Sequence, residues 1–220
     1  MSGLVAAAAA AMDALEIRAA RPADADAAVP LIYSSGPGSF EYVFGDGSPD
    51  GALAFLRRAF ADREGEFSHA THRVAVRGGE VVGVGAAYGA DAVLRFTLAA
   101  ARQILGGYGP LRGAGVIVRG LRTEQVIRPP RAGELYICHL GVRQDCRSRG
   151  VGRALLDDLL GSASAGRHRV ATLDVAVGNP RAQALYERCG FRVDARRVSA
   201  LRRTAGAVPD HHRMSRPLPA

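Results

Sequence analysis

The chain has 220 residues, 48% of them hydrophobic, and 29 basic against 21 acidic side chains give a net charge of +8 and a pI near 10.2. That length and apolar content suit one domain with its own core, without help from disulfides. All 29 basic residues are arginine. They are scattered among acids with no basic run and no aromatic interleaving, so the charge reads as coding bias and argues against a nucleic-acid partner. Cys138, Cys146 and Cys189 are widely spaced with no Cys-x-x-Cys. This argues against a disulfide framework and against a metal site, and fits a reducing cytoplasm. No run of about 18 strongly apolar residues is present to span a membrane.

In chain order, residues 1–15 read as an Ala-rich tail rather than a signal peptide, since no positive segment precedes the alanines; Met12 offers a second start. Residues 16–20 form a short strand. A helix follows over 21–35, with Pro22 near its start and aspartates in its first turn. The Gly-, Pro- and Asp-rich stretch 36–51 reads as a loop carrying Phe40, Tyr42 and Phe44. Helical periodicity resumes over 52–64, and 71–89 reads as a hairpin about Gly78-Gly79. A helix is expected over 90–107, then an arginine-containing stretch of no clear period to Pro130. Residues 134–142 form a buried strand and 168–177 an alternating one; two more strands close the chain. Strands and helices alternate without a repeat or a splitting linker, which predicts a single α/β or α+β domain over residues 16–216.

The stretch after the 134–142 strand places Arg147, Arg149 and Arg153 around Gly150-Val151-Gly152, at the mouth of a helix whose apolar stripe is Val151, Leu155, Leu156, Leu159 and Leu160. Helix N-termini leave backbone N–H groups unpaired and carry partial positive charge. Glycines allow close approach to the backbone, and arginines add charge-assisted hydrogen bonds. The shape suits a pyrophosphate. It lacks the Gly-Lys-Ser/Thr of a Walker loop and the third glycine of a dinucleotide fingerprint. Downstream, Asn179 fits a helix N-cap, Pro180 the first turn and Gly190 the stop. On that helix Ala182, Tyr186 and Cys189 share one face.

"ELYICHLGVRQDCRSRGVGRALL" followed by "LDVAVGNPRAQALYERCGF" resembles the GNAT superfamily of acyl-CoA-dependent N-acetyltransferases, over roughly residues 134–192. The resemblance implies a mixed, mostly antiparallel central sheet of about seven strands flanked by helices, with a splayed parallel strand pair holding acetyl-CoA. It implies that backbone groups of Leu140, Gly141 and Val142 hold the pantetheine arm. Arg147, Ser148, Arg149, Gly150, Val151, Gly152 and Arg153 would hold the pyrophosphate. Asn179 and Ala182 would flank the pantetheine, and Tyr186 would protonate the departing thiolate, as a phenol of pKa about 10 is able to. An amine would attack the thioester directly, with no metal.

The base is less defined. By strand alternation Glu134, Tyr136 and Cys138 share a face and His139 lies on the other. The family's glutamate position falls on Tyr136, so Glu134, one pair further out, is the first choice. His139 becomes available if a bulge turns it, and Cys138 reads as a small buried residue. Glu41, Asp46 and Asp50 in the 36–51 loop suit a cationic acceptor. Tyr88 and Glu134 are 46 positions apart, more than a minimal member needs, and the helix there would wall the acceptor pocket, act as a lid or form a homodimer interface. The expected acceptor is a small-molecule primary amine. Beside it stand a protein acetyltransferase acting on an N-terminus or lysine, and a non-catalytic acyl-CoA-binding domain.

Overall fold

The structure is a computed structural model and describes residues 14–47, 50–163 and 167–219. The tail expected over 1–15 and the second start at Met12 therefore fall outside it, apart from residues 14 and 15. Seven strands form one sheet: β1 (Glu16–Ala19), β2 (His72–Arg77), β3 (Glu80–Gly89), β4 (Glu134–Val142), β5 (Val170–Ala176), β6 (Arg192–Arg197) and β9 (His211–Pro217). Their order is β1-β2-β3-β4-β5-β9-β6, and every neighbouring pair is antiparallel except β4 and β5. A separate small hairpin joins β7 (Arg202–Arg203) to β8 (Gly206–Ala207).

Among the described residues six α-helices flank the sheet: α1 (Ala25–Ser34), α2 (Pro37–Phe44), α3 (Gly51–Ala61), α4 (Ala90–Thr123), α5 (Val151–Gly161) and α6 (Pro180–Arg188). Alternation along β2, together with a bulge at Val82 of β3, divides the core. Val74 and Val84 pack with α1, α2 and α3, whereas Ala75 and Val82 pack with Val151 and Leu155 of α5. A third cluster joins Ile137, Leu173 and Met214 of the sheet to Leu156 and Leu159 of α5 and Tyr186 of α6. The apolar stripe expected at the start of the Arg-Gly helix is thus the face that docks it.

Two segments differ from the sequence expectation. Residues 37–44, expected as loop, form helix α2. Pro37 occupies its first turn, where a missing N–H costs nothing. Phe40, Tyr42, Val43 and Phe44 are buried, and Phe44 stacks on Phe55 at 4.0 Å. Each buried aromatic is worth about 2 kcal/mol, which outweighs the weak helix propensity of Gly38 and the flanking glycines. The expected helix 90–107 extends to Thr123 across a kink at Gly109 (φ 71°, ψ 168°), a conformation essentially reserved for glycine, followed by Pro110. Both arms of α4 are tied to the C-terminus of α2. The Tyr108 hydroxyl donates to the Phe44 carbonyl (2.7 Å), and Arg119 Nε donates to the Val43 carbonyl (3.0 Å), satisfying carbonyls that a helix end leaves open. The outer side of α4 exposes Leu94, Leu98 and Leu111.

Candidate active site

Strands β4 and β5 pair only from Glu134–Val170 to Ile137–Leu173. Beyond that point β5 continues against β9, and β4 continues against β3. Residues 138–142 therefore present one backbone edge to an open cleft between two parallel strands.

Below the cleft lies the Arg-Gly turn. Gly150 is the N-cap of α5 with φ 82°, and nothing lies within 4 Å of where a Cβ would project. The first helical bond at this end runs from Ala154 N–H to the Gly150 carbonyl (2.9 Å), so the N–H groups of Val151, Gly152 and Arg153 precede it without helical acceptors. Ser148 also holds a positive φ of 62°. Its hydroxyl accepts from Arg181 (3.0 Å), while Arg147 Nε donates to the Val142 carbonyl (3.0 Å). Across the cleft, Asn179 caps α6 as expected, its Oδ1 accepting from Ala182 N–H at 3.1 Å.

One continuous cavity of about 740 Å³ runs through this region. Of the site residues expected from sequence, Leu140, Gly141, Val142, Arg147, Ser148, Gly150, Gly152, Arg153, Asn179, Ala182 and Tyr186 line it. Val151 turns its side chain into the core and has only its backbone to offer; Arg149 is exposed and is not part of the lining. Gly141 packs against the Leu31 carbonyl of α1, leaving no room there for a side chain. The residues fit a pyrophosphate-bearing cosubstrate. Unpaired N–H groups and an open glycine face the same space as Arg147, Arg153, Arg181 and Arg188.

A model described as the Acetyltransferase (GNAT) family matches residues 42–191. The chain belongs to that family. Among solved structures, this GNAT chain is similar to an N-acetyltransferase from Staphylococcus aureus Mu50 (TM-score 0.62, 19% identity, 91% of this chain and 99% of that one). It is also similar to the ribosomal-protein-S18-alanine N-acetyltransferase from Escherichia coli (TM-score 0.53, 17% identity, 94% and 96%). A curated relative, the 5-NmdU N-acetyltransferase of Pseudomonas phage PaMx11, is 36% identical over 63 residues, 29% of this chain. The match spans 43% of that relative's length. The GNAT fold follows for this chain.

The rest of the site departs from the residues first expected. Tyr186 is buried against the cavity wall, its hydroxyl makes no hydrogen bond among the described residues, and burial raises its pKa above the ordinary phenol value. Glu134 does not line the cavity. Its carboxylate accepts from Arg213 (2.8 Å), Thr172 (3.4 Å) and the Arg131 N–H (3.2 Å). Arg213 also grips Asp174 (2.8 Å), whose side chain is 1% exposed, and lies over the Tyr136 ring. Glu134 thus belongs to an ion network that pins β9, β5 and β4 together. Glu41 and Asp46 line a separate surface recess, with Glu41 accepting from the Tyr33 hydroxyl. Asp50 sits at the start of α3, exposed.

A bulge in β4 changes the facing of His139. Three steps on β4, from Cys138 to Gly141, oppose two on β3, from Val84 to Ala86, and His139 takes φ 55°. Cys138 and His139, adjacent in sequence, consequently both line the cavity. Glu66 meets them there, from the segment between α3 and β2. Its side chain is 32% exposed and lines the cavity. Desolvation pushes its pKa up to about 7, with Glu124 adding repulsion and the Tyr88 hydroxyl, which donates to Oε1 (3.3 Å), opposing the rise. Burial holds the Cys138 thiol protonated and lowers the pKa of His139 well below its ordinary value.

Sequence reasoning passed over Glu66 because it lies in a polar run, and only its place in the cavity lining sets it apart. His72 was more visible. It shares the inward face of β2 with Val74 and Val76, and a histidine in such a row is either a satisfied core group or part of a network.

Proposed function

We propose that this chain transfers an acetyl group from acetyl-CoA to the primary amine of a small, largely apolar molecule. The observation that carries the reading is the continuity of the cavity. It joins the Arg-Gly turn and Tyr186 to the apolar side chains of Phe40, Phe44, Phe67, Phe96, Ile104 and Ile117. Helix α4 supplies part of that apolar lining, so the additional helix acts here as pocket wall, which favours a small acceptor over a protein chain. Polar anchors in a mostly apolar pocket are the usual pattern for small-ligand recognition.

Acetyl-CoA supplies an activated thioester. The N–H groups at the start of α5, with Arg147 and Arg153, hold its pyrophosphate. The open β4 edge from Leu140 to Val142 holds the pantetheine arm in the manner of an added strand, with Asn179 and Ala182 on its other side. Tyr186 stays protonated until the carbon–sulfur bond breaks and then gives its proton to the leaving thiolate. Holding both substrates in one cavity replaces an encounter by an oriented contact.

The test is calorimetric titration with acetyl-CoA, then thiol release with a panel of amines. Phenethylamine and tryptamine are expected to exceed spermidine and a lysine-containing peptide in kcat/KM by about tenfold or more, the scale on which apolar pockets discriminate. A preference for the peptide would overturn the small-molecule reading. Failure to bind acetyl-CoA at millimolar concentration would overturn the transferase reading itself.

A further inference from the structure

We propose that Glu66 and His139 form the receptor for the acceptor's ammonium group, with Glu66 taking the proton that frees the nitrogen to attack; this rests on the transferase reading above. The argument begins at Ser68. His72 Nδ1 lies 2.8 Å from the Ser68 carbonyl, which only accepts, so Nδ1 carries the hydrogen. His72 is buried and neutral, its pKa lowered to about 4 by desolvation, so its Nε2 is a bare acceptor. His139 Nδ1 lies 3.2 Å from that Nε2 and must donate to it. The tautomer of His139 follows: its Nε2 is an unprotonated lone pair.

That lone pair has Glu66 Oε1 at 3.7 Å. Two acceptors face each other across a gap that opens on the cavity. A cation that donates to both relieves their repulsion, and an ammonium nitrogen at ordinary hydrogen-bond distance from each fits this spacing. The imidazole is held for the purpose, stacked on His72 (ring centroids 5.3 Å) and on Phe67 (5.0 Å). The oxygen of Glu66, the sulfur of Cys138 and a nitrogen of His139 lie within 4.8 Å of one another, so the chelator arm of the experiment separates a metal from an ammonium as occupant. Tyr186 lines the same cavity as Glu66, Cys138 and His139.

The step balances as follows. The ammonium gives one proton to Glu66 and keeps a hydrogen bond to His139 Nε2. The freed nitrogen forms the C–N bond as C–S breaks, and the thiolate takes the phenolic proton of Tyr186. The second nitrogen proton restores Tyr186 through water, and Glu66 returns its proton to solvent. One proton is released per acetyl group transferred. The charged or titratable groups around Glu66 are Tyr88 on β3, Tyr136, Cys138 and His139 on β4, and Glu124 just after α4.

The experiment uses the full chain, acetyl-CoA and phenethylamine, with rates read from pH 5.5 to 9.5 and acetyl-CoA affinity measured separately. Wild-type kcat/KM for the amine should rise through an ionisation near neutrality. Glu66→Gln should lose that limb and about 100-fold in rate at pH 7 while binding acetyl-CoA as the wild type does. Glu66→Asp, which keeps a carboxylate, should retain the limb at reduced rate. His139→Gln should raise KM for the amine more than it lowers kcat. Glu66→Gln within threefold of wild type, with the limb intact, would overturn the proposal, as would Glu66→Asp without the limb if Glu66→Gln does not fold. Activity lost to a chelator and restored by zinc would overturn it in favour of a metal. A wild type that neither binds acetyl-CoA nor acetylates any amine would instead sink the transferase reading.

Discussion

Glu134→Gln separates the two carboxylates that compete for the role of base. The Glu134 carboxylate is 2.8 Å from Arg213 and its side chain is 19% exposed, so it is neither fully solvated nor fully enclosed. A hydrogen bond to a charged partner contributes about 1.5–3 kcal/mol when buried, and partial exposure cuts that down. Arg213 keeps its bond to Asp174 after the change, so no buried charge is stranded. A loss of about 1–2 kcal/mol is therefore expected. For a chain of this length each kcal/mol shifts Tm by about 2–4 °C, giving a drop of about 2–8 °C. The carboxylate is outside the cavity lining, so kcat with phenethylamine should stay within about threefold of wild type in the thiol-release assay. A Glu134→Gln protein that melts with the wild type yet loses about 100-fold in kcat would refute this reasoning and return the base to Glu134.

Tyr186→Phe should lower kcat by about 100-fold, the lower end of general-acid contributions, with acetyl-CoA affinity and Tm little changed because the hydroxyl has no hydrogen-bond partner among the described residues; unchanged kcat would remove Tyr186 from the chemistry. Gly150→Glu sets a side chain on a φ of 82° and a negative charge beside the N–H groups of α5, and calorimetry should show acetyl-CoA affinity falling by at least tenfold. Retained affinity there would mean that the turn holds no phosphate.

Much of the frame was legible because its signals are local. Gly78-Gly79 takes positive φ at both positions and turns the β2–β3 hairpin. Asn179 caps α6, and Gly190 closes it with φ 86°. Helix α2 was hidden because Gly36, Pro37, Gly38 and Gly45 read as turn residues, while the aromatics that make it a helix are rewarded only by partners such as Phe55 and Phe67, distant in sequence. The second arm of α4 was hidden by the Gly109-Pro110 kink, and its anchor, the Arg119 bond to Val43, spans 76 positions. The β7–β8 hairpin has strands of two residues, too short for alternation to register.

The placement of Glu134 outside the cavity lining has a physical origin in β4 itself. Over 135–137 the strand is paired on both sides, with β3 and with β5, and Glu134 pairs with β5. Side chains there meet neighbours on adjacent strands, and a carboxylate among them is held by the nearest cation, here Arg213 of β9. Over 138–142 the β5 side is open and a bulge adds one residue. Only this second half can present both backbone and side chains to a substrate. Strand alternation extended from the first half into the second assigns His139 to the wrong side, and no period within the strand marks where the pairing stops. The open half carries Cys138 and His139 but no acid. The carboxylate of the proposed step therefore comes from outside β4, where the segment between α3 and β2 brings Glu66 to within 3.7 Å of His139.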